Sequence, residues 1–152
     1  MQTVCPAPCA DGNGPRHTTS VSDMAVEVTV TDLAVHIEVT GWDRVWSLSR
    51  GRIIPMDEIV SAEVMSRSDA IHRIRWRLAG THLPGSAIAG HFMCAGKDPE
   101  TGRRPRAWLA VFRDRELLRI TLRGDRPRYI VIQHPARHDL AWWIGERITP
   151  QR

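Results

Sequence analysis

The chain has 152 residues, of which 42% are hydrophobic and 25% are charged. This length fits a single domain, and this composition excludes an intrinsically disordered protein. The formal net charge is +4, and Lys97 is the only lysine beside twenty arginines, a bias that indicates a GC-rich bacterial genome. Because acidic residues are interspersed among the arginines, we do not expect a nucleic-acid-binding protein.

The chain contains three cysteines, Cys5, Cys9 and Cys94, which is an odd number without the spacing of a disulfide framework. We therefore expect the protein to be located in the reducing cytoplasm. The first residues lack the basic start and the apolar run of an export signal, so we expect none. We expect a flexible tail over residues 1–23, which are poor in large apolar side chains, and one folded domain over residues 24–149. Whether translation starts at Met1 or at Met24 stays open.

From Val26 onward, apolar residues recur at every second position, which is typical of half-buried strands. The predicted strands cover residues 26–30, 33–39, 44–49 continuing into 52–56, 58–65, 87–94, 107–112, 117–124 and 128–133. Pro55 limits its strand to a sheet edge or a strand end. Residues 68–78 fit either a helix or a strand; we favour a helical turn from Ser68 to His72, capped by Ser68, followed by an extended segment.

The last predicted element is one amphipathic helix over residues 136–148, in which Leu140, Trp143 and Ile144 recur at helical spacing. We expect Trp143 to be buried and its neighbour Trp142 to be partly exposed. No strand-helix-strand alternation is present. The sequence therefore predicts a mainly β fold of the α+β class, a bent antiparallel sheet or barrel of about seven strands that is capped by one C-terminal helix.

Several stretches resemble small, uncharacterised bacterial proteins of the pleckstrin-homology-like (PH-like) superfamily. The similar stretches are "WSL", "IIPMDEIVSAEV", "GTHLPGSAIAGHF", "AWLAVF", "LLRITLRGDRPRYIVIQ" and "HPARHDLAWWI". The resemblance covers Val26 to Ile148, with a departure in the long loop "CAGKDPETGRRPR". It implies a PH-like barrel and no catalytic residue.

The stretch from Leu78 to Gly96 contains no charged side chain. We interpret it as a tight corner packed against the barrel, followed by a strand that is buried on at least one face. Gly80, Gly85 and Gly90 would permit a close backbone approach there, and Pro84 would fix a bend. A ligand-binding loop is the alternative interpretation.

The sequence offers two sets of residue types that serve catalysis or metal binding elsewhere. The first set is His82, His91, Cys94 and Asp98, and the second is Cys5, Cys9, His134 and His138. The first set lacks a nucleophile motif, and His91 and Cys94 would point apart on one strand. The second set is spread over more than a hundred residues. We therefore expect no catalytic residue, no metal and no cofactor.

The candidate binding residues are Arg73, Arg75, Trp76, Arg77 and Trp142. The stripe "RIRWRL" could place three arginines beside Trp76 for an anionic group, although a solvated charged strand is the alternative. The leading hypothesis is a non-enzymatic domain that binds a protein or peptide partner. A peripheral module that binds anionic lipid through these arginines and residues 103–106 is the alternative, and a small-molecule enzyme ranks third. The sequence leaves the partner and the oligomeric state open.

Overall fold

The structure is a computed structural model that describes residues 26–40, 51–83, 87–99, 101–124 and 127–148. Within these residues the chain forms nine strands in two sheets and two α-helices. The strands are β1 (Val26–Val30), β2 (Ala34–Val39), β3 (Gly51–Pro55), β4 (Ile59–Ser66), β5 (Ile74–Leu83), β6 (Ala87–Cys94), β7 (Arg106–Val111), β8 (Glu116–Leu122) and β9 (Tyr129–Ile132), and the helices are α1 (Arg67–His72) and α2 (Arg137–Ile148). The predicted tail and the predicted strand at 44–49 lie outside the described residues.

The first sheet is an antiparallel meander in the order β1-β2-β3. The alternation that predicted β1 and β2 places Val28, Val35 and Ile37 on the buried face. β3 is an edge strand and ends at Pro55, as expected of a residue that cannot donate a ladder hydrogen bond.

The second sheet has the order β4-β8-β9-β7-β6-β5. β9 lies between β8 and β7, antiparallel to the first and parallel to the second. Both faces of this sheet are buried. One face packs against the first sheet and α2 in a core that contains Ile37, Trp108 and Ile144. The other face forms a smaller core with Leu109, Leu117 and further apolar residues.

The predicted mainly β fold with one C-terminal helix is confirmed. Two details of the prediction were wrong, since the described residues contain nine strands rather than about seven, and β7 and β9 are parallel. Of the two predicted forms, a bent sheet or a barrel, the described residues form sheets that do not close into a barrel. The barrel stays open in the described residues because β4 leaves the first meander and pairs with β8 instead.

Helix α1 followed directly by β5 confirms the interpretation of the ambiguous stretch as a helical turn and an extended segment. The N-cap, however, is Ser66 rather than Ser68. Ser66 Oγ accepts a hydrogen bond from the backbone N–H of Asp69 at 3.1 Å, which satisfies one of the free donors of the first turn. Both serines suit a cap, so the sequence alone does not distinguish them.

Gly80 and Gly90 face each other across the hairpin of β5 and β6, with φ angles of +124° and +126°. A Cβ on Gly80 would lie 2.1 Å from the carbonyl oxygen of Ala89, and a Cβ on Gly90 would lie 2.2 Å from that of Ala79. No side chain fits at either position, because a non-bonded carbon and oxygen cannot approach so closely. The predicted close backbone approach is therefore confirmed at these two glycines.

The second half of the uncharged stretch is β6, in which Ile88, Phe92 and Cys94 are buried in the smaller core. This burial confirms the prediction of a strand that is covered on at least one face. Pro84 and Gly85 lie outside the described residues.

Replacing Gly90 by alanine should destabilise the protein strongly, because the new Cβ meets the backbone of β5 and the φ angle is positive. We expect Gly90→Ala to lower the free energy of unfolding by at least about 2 kcal/mol in urea denaturation. Gly124→Ala is the control, since a Cβ there meets no atom within 4 Å, and it should change stability by less than about 0.5 kcal/mol. Equal effects of the two changes would contradict the close approach.

Helix α2 docks through Ile144, which is fully buried, with Leu140, Ala141 and Ile148 partly buried around it. The prediction that Trp143 is buried was wrong, because this side chain is only half-buried and the guanidinium of Arg147 lies 4.3 Å from its ring centroid. Neighbouring helical residues differ by about 100° in direction, so a stripe centred on Ile144 leaves Trp143 at its margin. Trp142 is 61% exposed, as predicted.

We expect Ile144→Ala to lower the free energy of unfolding by about 2 to 5 kcal/mol, since it leaves a cavity in the main core. Trp142→Ala should cost less than about 0.5 kcal/mol, because the larger side chain is mostly in solvent. Thermal and urea denaturation of both variants measure the difference. A larger loss at Trp142 would show that α2 docks through another face.

Candidate functional site

The structure does not bring the five predicted binding residues together. Trp142 lies on α2, whereas Arg73 directly precedes β5 and Arg75, Trp76 and Arg77 lie within it. The register of β5 against β6 is interrupted between Ile74 and Trp76 and again between Arg77 and Ala79. Each interruption inserts an extra residue and changes which side chains share a face.

Trp76 and Arg77 lie between the two interruptions, where the pairing with β6 is regular. Arg77 is opposite Phe92, and Trp76 is opposite Met93, in the β5–β6 register. Since Phe92 and Met93 are adjacent in a strand, they point to opposite faces. Arg77 and Trp76 therefore lie on opposite faces of β5, and the surface of three arginines beside Trp76 stays a prediction.

Arg75 and Arg77 border a groove of about 140 Å³ that we call the β5 groove. Its lining consists of three groups that can be charged or polar and four apolar side chains: Arg75, Arg77, His82, Ile71, Ile74, Ile88 and Phe92. Ile88 and Phe92 are buried and belong to the smaller core, whereas Arg75, Arg77 and His82 are exposed. The groove thus combines an apolar floor with a cationic rim.

Neither Arg75 nor Arg77 forms an ion pair or a side-chain hydrogen bond with any described residue. Other arginines of the second sheet and α2 are paired. Arg137 binds Glu116 at 3.0 Å, and Arg119 forms a salt bridge with Glu63. The charges of these two arginines are therefore compensated within the chain, whereas those of Arg75 and Arg77 are not compensated by any described residue.

Trp76 is 55% exposed on the face opposite Arg77, and the guanidinium of Arg104 lies 4.7 Å from its ring centroid. This cation–π contact links β5 to the loop before β7. Of the predicted lipid-binding residues 103–106, Arg104 therefore contacts Trp76, and none of the four lines the β5 groove.

Arg73 lines a second, smaller cavity of about 20 Å³, together with Cys94, Arg119 and apolar side chains. This volume holds about one water molecule. Burial raises the pKa of the Cys94 thiol to about 11, although the charges of Arg73 and Arg119 act in the opposite direction. The thiol is therefore protonated at neutral pH and is a poor nucleophile.

A buried ion pair that the sequence analysis missed holds the loop between β6 and β7. Asp98 and Arg128 are both buried, and Arg128 Nε lies 3.3 Å from Asp98 Oδ2. Arg128 also donates hydrogen bonds to the carbonyl oxygens of Leu122 and Arg123. Nothing in the charged loop sequence distinguishes Asp98 from its exposed neighbours, so only the tertiary structure reveals the pair.

The histidines that we considered as metal ligands have other partners. The buried His134 accepts a hydrogen bond through Nδ1 from the backbone N–H of Ala136 at 3.1 Å, and His138 Nε2 lies 3.3 Å from Glu116 Oε2. Among the described residues, no three Cys, His, Asp or Glu side chains are grouped closely enough to hold a metal ion. Cys5 and Cys9 lie outside the described residues.

No family model, no curated protein and no solved structure matches the chain. In the described part of the chain, neither helix has the length and apolar composition needed to cross a membrane.

His134 should make the stability of the protein depend on pH. Burial lowers the pKa of its imidazole in the folded state, so below the ordinary value of about 6.5 the unfolded chain binds a proton more readily. The stabilisation is present above pH of about 6.5 and is lost as the pH falls below that value. Urea denaturation at several pH values measures the free energy of unfolding. As the pH falls, this free energy should decrease less for His134→Gln than for the wild type, and equal decreases would contradict this role of His134.

Proposed function

We propose that the chain is a cytoplasmic, non-enzymatic binding domain of the PH-like type, and that the β5 groove binds an extended acidic segment of a partner protein. The observation that carries this proposal is the pair of unpaired arginines, Arg75 and Arg77, beside an apolar floor. An apolar side chain of the partner would lie on Ile88 and Phe92. Carboxylates on either side of it would bind the two guanidinium groups.

The surroundings of the groove support a protein partner. β5 is the last strand in the order of the second sheet, so a segment can approach it from the side that no described strand occupies. The exposed Ile71 of α1 lines the groove together with the partly buried Ile74 of β5. Exposed apolar side chains grouped near a groove are typical of an interaction surface.

The alternative of an anionic membrane surface receives less support. A flat membrane would engage cations that share one face, but Arg104 is stacked on Trp76 on the face opposite Arg77. The methylene groups of Arg75 and Arg77 and the apolar floor also favour a ligand that enters the β5 groove. Binding to anionic lipid is therefore an outcome of the test below.

The probe is a fluorescein-labelled peptide in which leucine and glutamate alternate, and fluorescence anisotropy measures its binding. Changing both arginines in Arg75→Glu/Arg77→Glu should weaken binding at least about tenfold, because two attractive charges become repulsive. The matched control is Arg113→Glu/Arg115→Glu, which changes the net charge equally at two exposed positions outside the groove. The control should retain the affinity of the wild type within about twofold.

Sedimentation with vesicles tests the alternative. We expect no more binding to vesicles that contain phosphatidylglycerol than to vesicles of phosphatidylcholine alone. Salt-sensitive sedimentation with the anionic vesicles and no affinity for the peptide would overturn the peptide proposal in favour of lipid binding. Equal weakening by the two double variants would show that net charge, and not the groove, binds the peptide.

A further inference from the structure

A second group of polar side chains lies on the other face of β6, inside the main core. Trp108 of β7 is fully buried, and its Nε1 has no hydrogen-bond partner among the described residues. Buried donors in folded proteins nearly always have an acceptor, because an unpaired one loses its hydration without compensation. No described protein group accepts a hydrogen bond from Trp108 Nε1, so a bound ligand could serve as its acceptor.

His91 is the nearest polar neighbour of Trp108 in the second sheet. The two residues are direct partners in the β6–β7 register, so their side chains lie side by side on one face. This face is the one that belongs to the main core, since Trp108 packs there with Ile54 and Ile37 of the first sheet. His91 is half-buried at the margin of this core.

Arg52 approaches the same place from the first sheet. It lies opposite the fully buried Ile37 and two residues before the buried Ile54, so the alternation of β3 directs its side chain inward. Its Nε is buried and has no hydrogen-bond partner. Burial lowers the pKa of His91, and the charges of Arg52 and Arg106 lower it further, which places Arg52 within electrostatic reach of His91.

No described carboxylate compensates this charge. Burial lowers the pKa of Arg52, and Arg52 forms no ion pair with a described Asp or Glu. Arg52 as a whole is only half-buried, but its buried Nε is costly to leave unpaired, and an anion would supply both an acceptor and a counter-charge. The ligand that fits two unpaired donors and a positive charge is acceptor-only and anionic.

We propose that Arg52, His91 and Trp108 form a binding site for a small oxyanion, either a carboxylate or inorganic phosphate, between β3 and the β6–β7 pair. Trp108 Nε1 and Arg52 Nε donate hydrogen bonds to the anion, and the guanidinium neutralises it. The site is separate from the β5 groove, because His91 and the groove residue Phe92 are adjacent in β6 and point to opposite faces.

The indole Nε1–H resonance of Trp108 in ¹H–¹⁵N NMR spectra reports on the site directly. Titration of the full chain with acetate and with phosphate should shift this resonance in a saturable manner. Arg52→Gln should weaken the apparent affinity at least tenfold, whereas Arg115→Gln, an exposed change of equal charge, should leave it unchanged. His91→Gln provides a second variant at the site if Arg52→Gln does not fold.

Each outcome decides the proposal. The double variant Arg75→Glu/Arg77→Glu should keep the shift of Trp108, so the failure of the β5 groove and the failure of this site are distinguishable. No saturable shift with either anion would overturn the proposal and assign the acceptor to a water molecule. A shift that survives unchanged in both Arg52→Gln and His91→Gln would overturn it as well.

Discussion

Burial of the second sheet on both of its faces is the constraint on which the rest of the structure depends. Leu117 and Leu118 are adjacent in β8 and are both fully buried, although adjacent strand residues point to opposite faces. Trp108 and Leu109 repeat this pattern in β7. Each face therefore needs its own cover, and a single meander with one helix cannot supply both.

The two faces of the second sheet are covered to different extents, and this difference determines where a binding site can form. The first sheet and α2 cover one face with a continuous core. On the other face, α1 contributes Ala70, and the remaining buried residues come from the sheet itself. The smaller cover ends near β5, where the apolar floor of Ile88 and Phe92 meets the exposed Arg75 and Arg77. The β5 groove is thus the margin of an incompletely covered sheet face.

The sequence predicted those elements whose side-chain pattern depends on local geometry. Alternation located β1 and β2, and the glycines of the uncharged stretch predicted a close backbone approach, which the structure shows between Gly80 and Gly90. Sheet order was not predictable in this way, because β9 pairs with both β7 and β8 through contacts that are distant in sequence. The continuous apolar runs of β7 and β9 were a signal for a strand buried on both faces, which a strict search for alternation overlooks.

The candidate site was harder to predict for a related reason. A regular strand would have put Arg73, Arg75 and Arg77 on one face, but the register changes in β5 are set by pairing with β6 and not by the sequence of β5. The same regularity would not have revealed Asp98 and Arg128, which meet only in the folded chain. Periodicity thus predicts which residues belong to a strand, and pairing decides what they contact.

The net charge of +4 says little about binding, because several arginines form ion pairs with carboxylates of the same chain. Arg119, Arg137 and Arg147 have carboxylate partners, and Arg128 has Asp98. Arg75, Arg77 and Arg52 have no described carboxylate partner, but the exposed Arg113 and Arg115 have none either. Since an ion pair within the chain competes with an ion pair to a ligand, the lack of an acidic partner leaves an arginine available, and the groups around it decide whether it belongs to a site. β5 is the edge strand beside β6 in the second sheet, and β3 is an edge strand of the first sheet, so both proposed sites include an arginine of an edge strand.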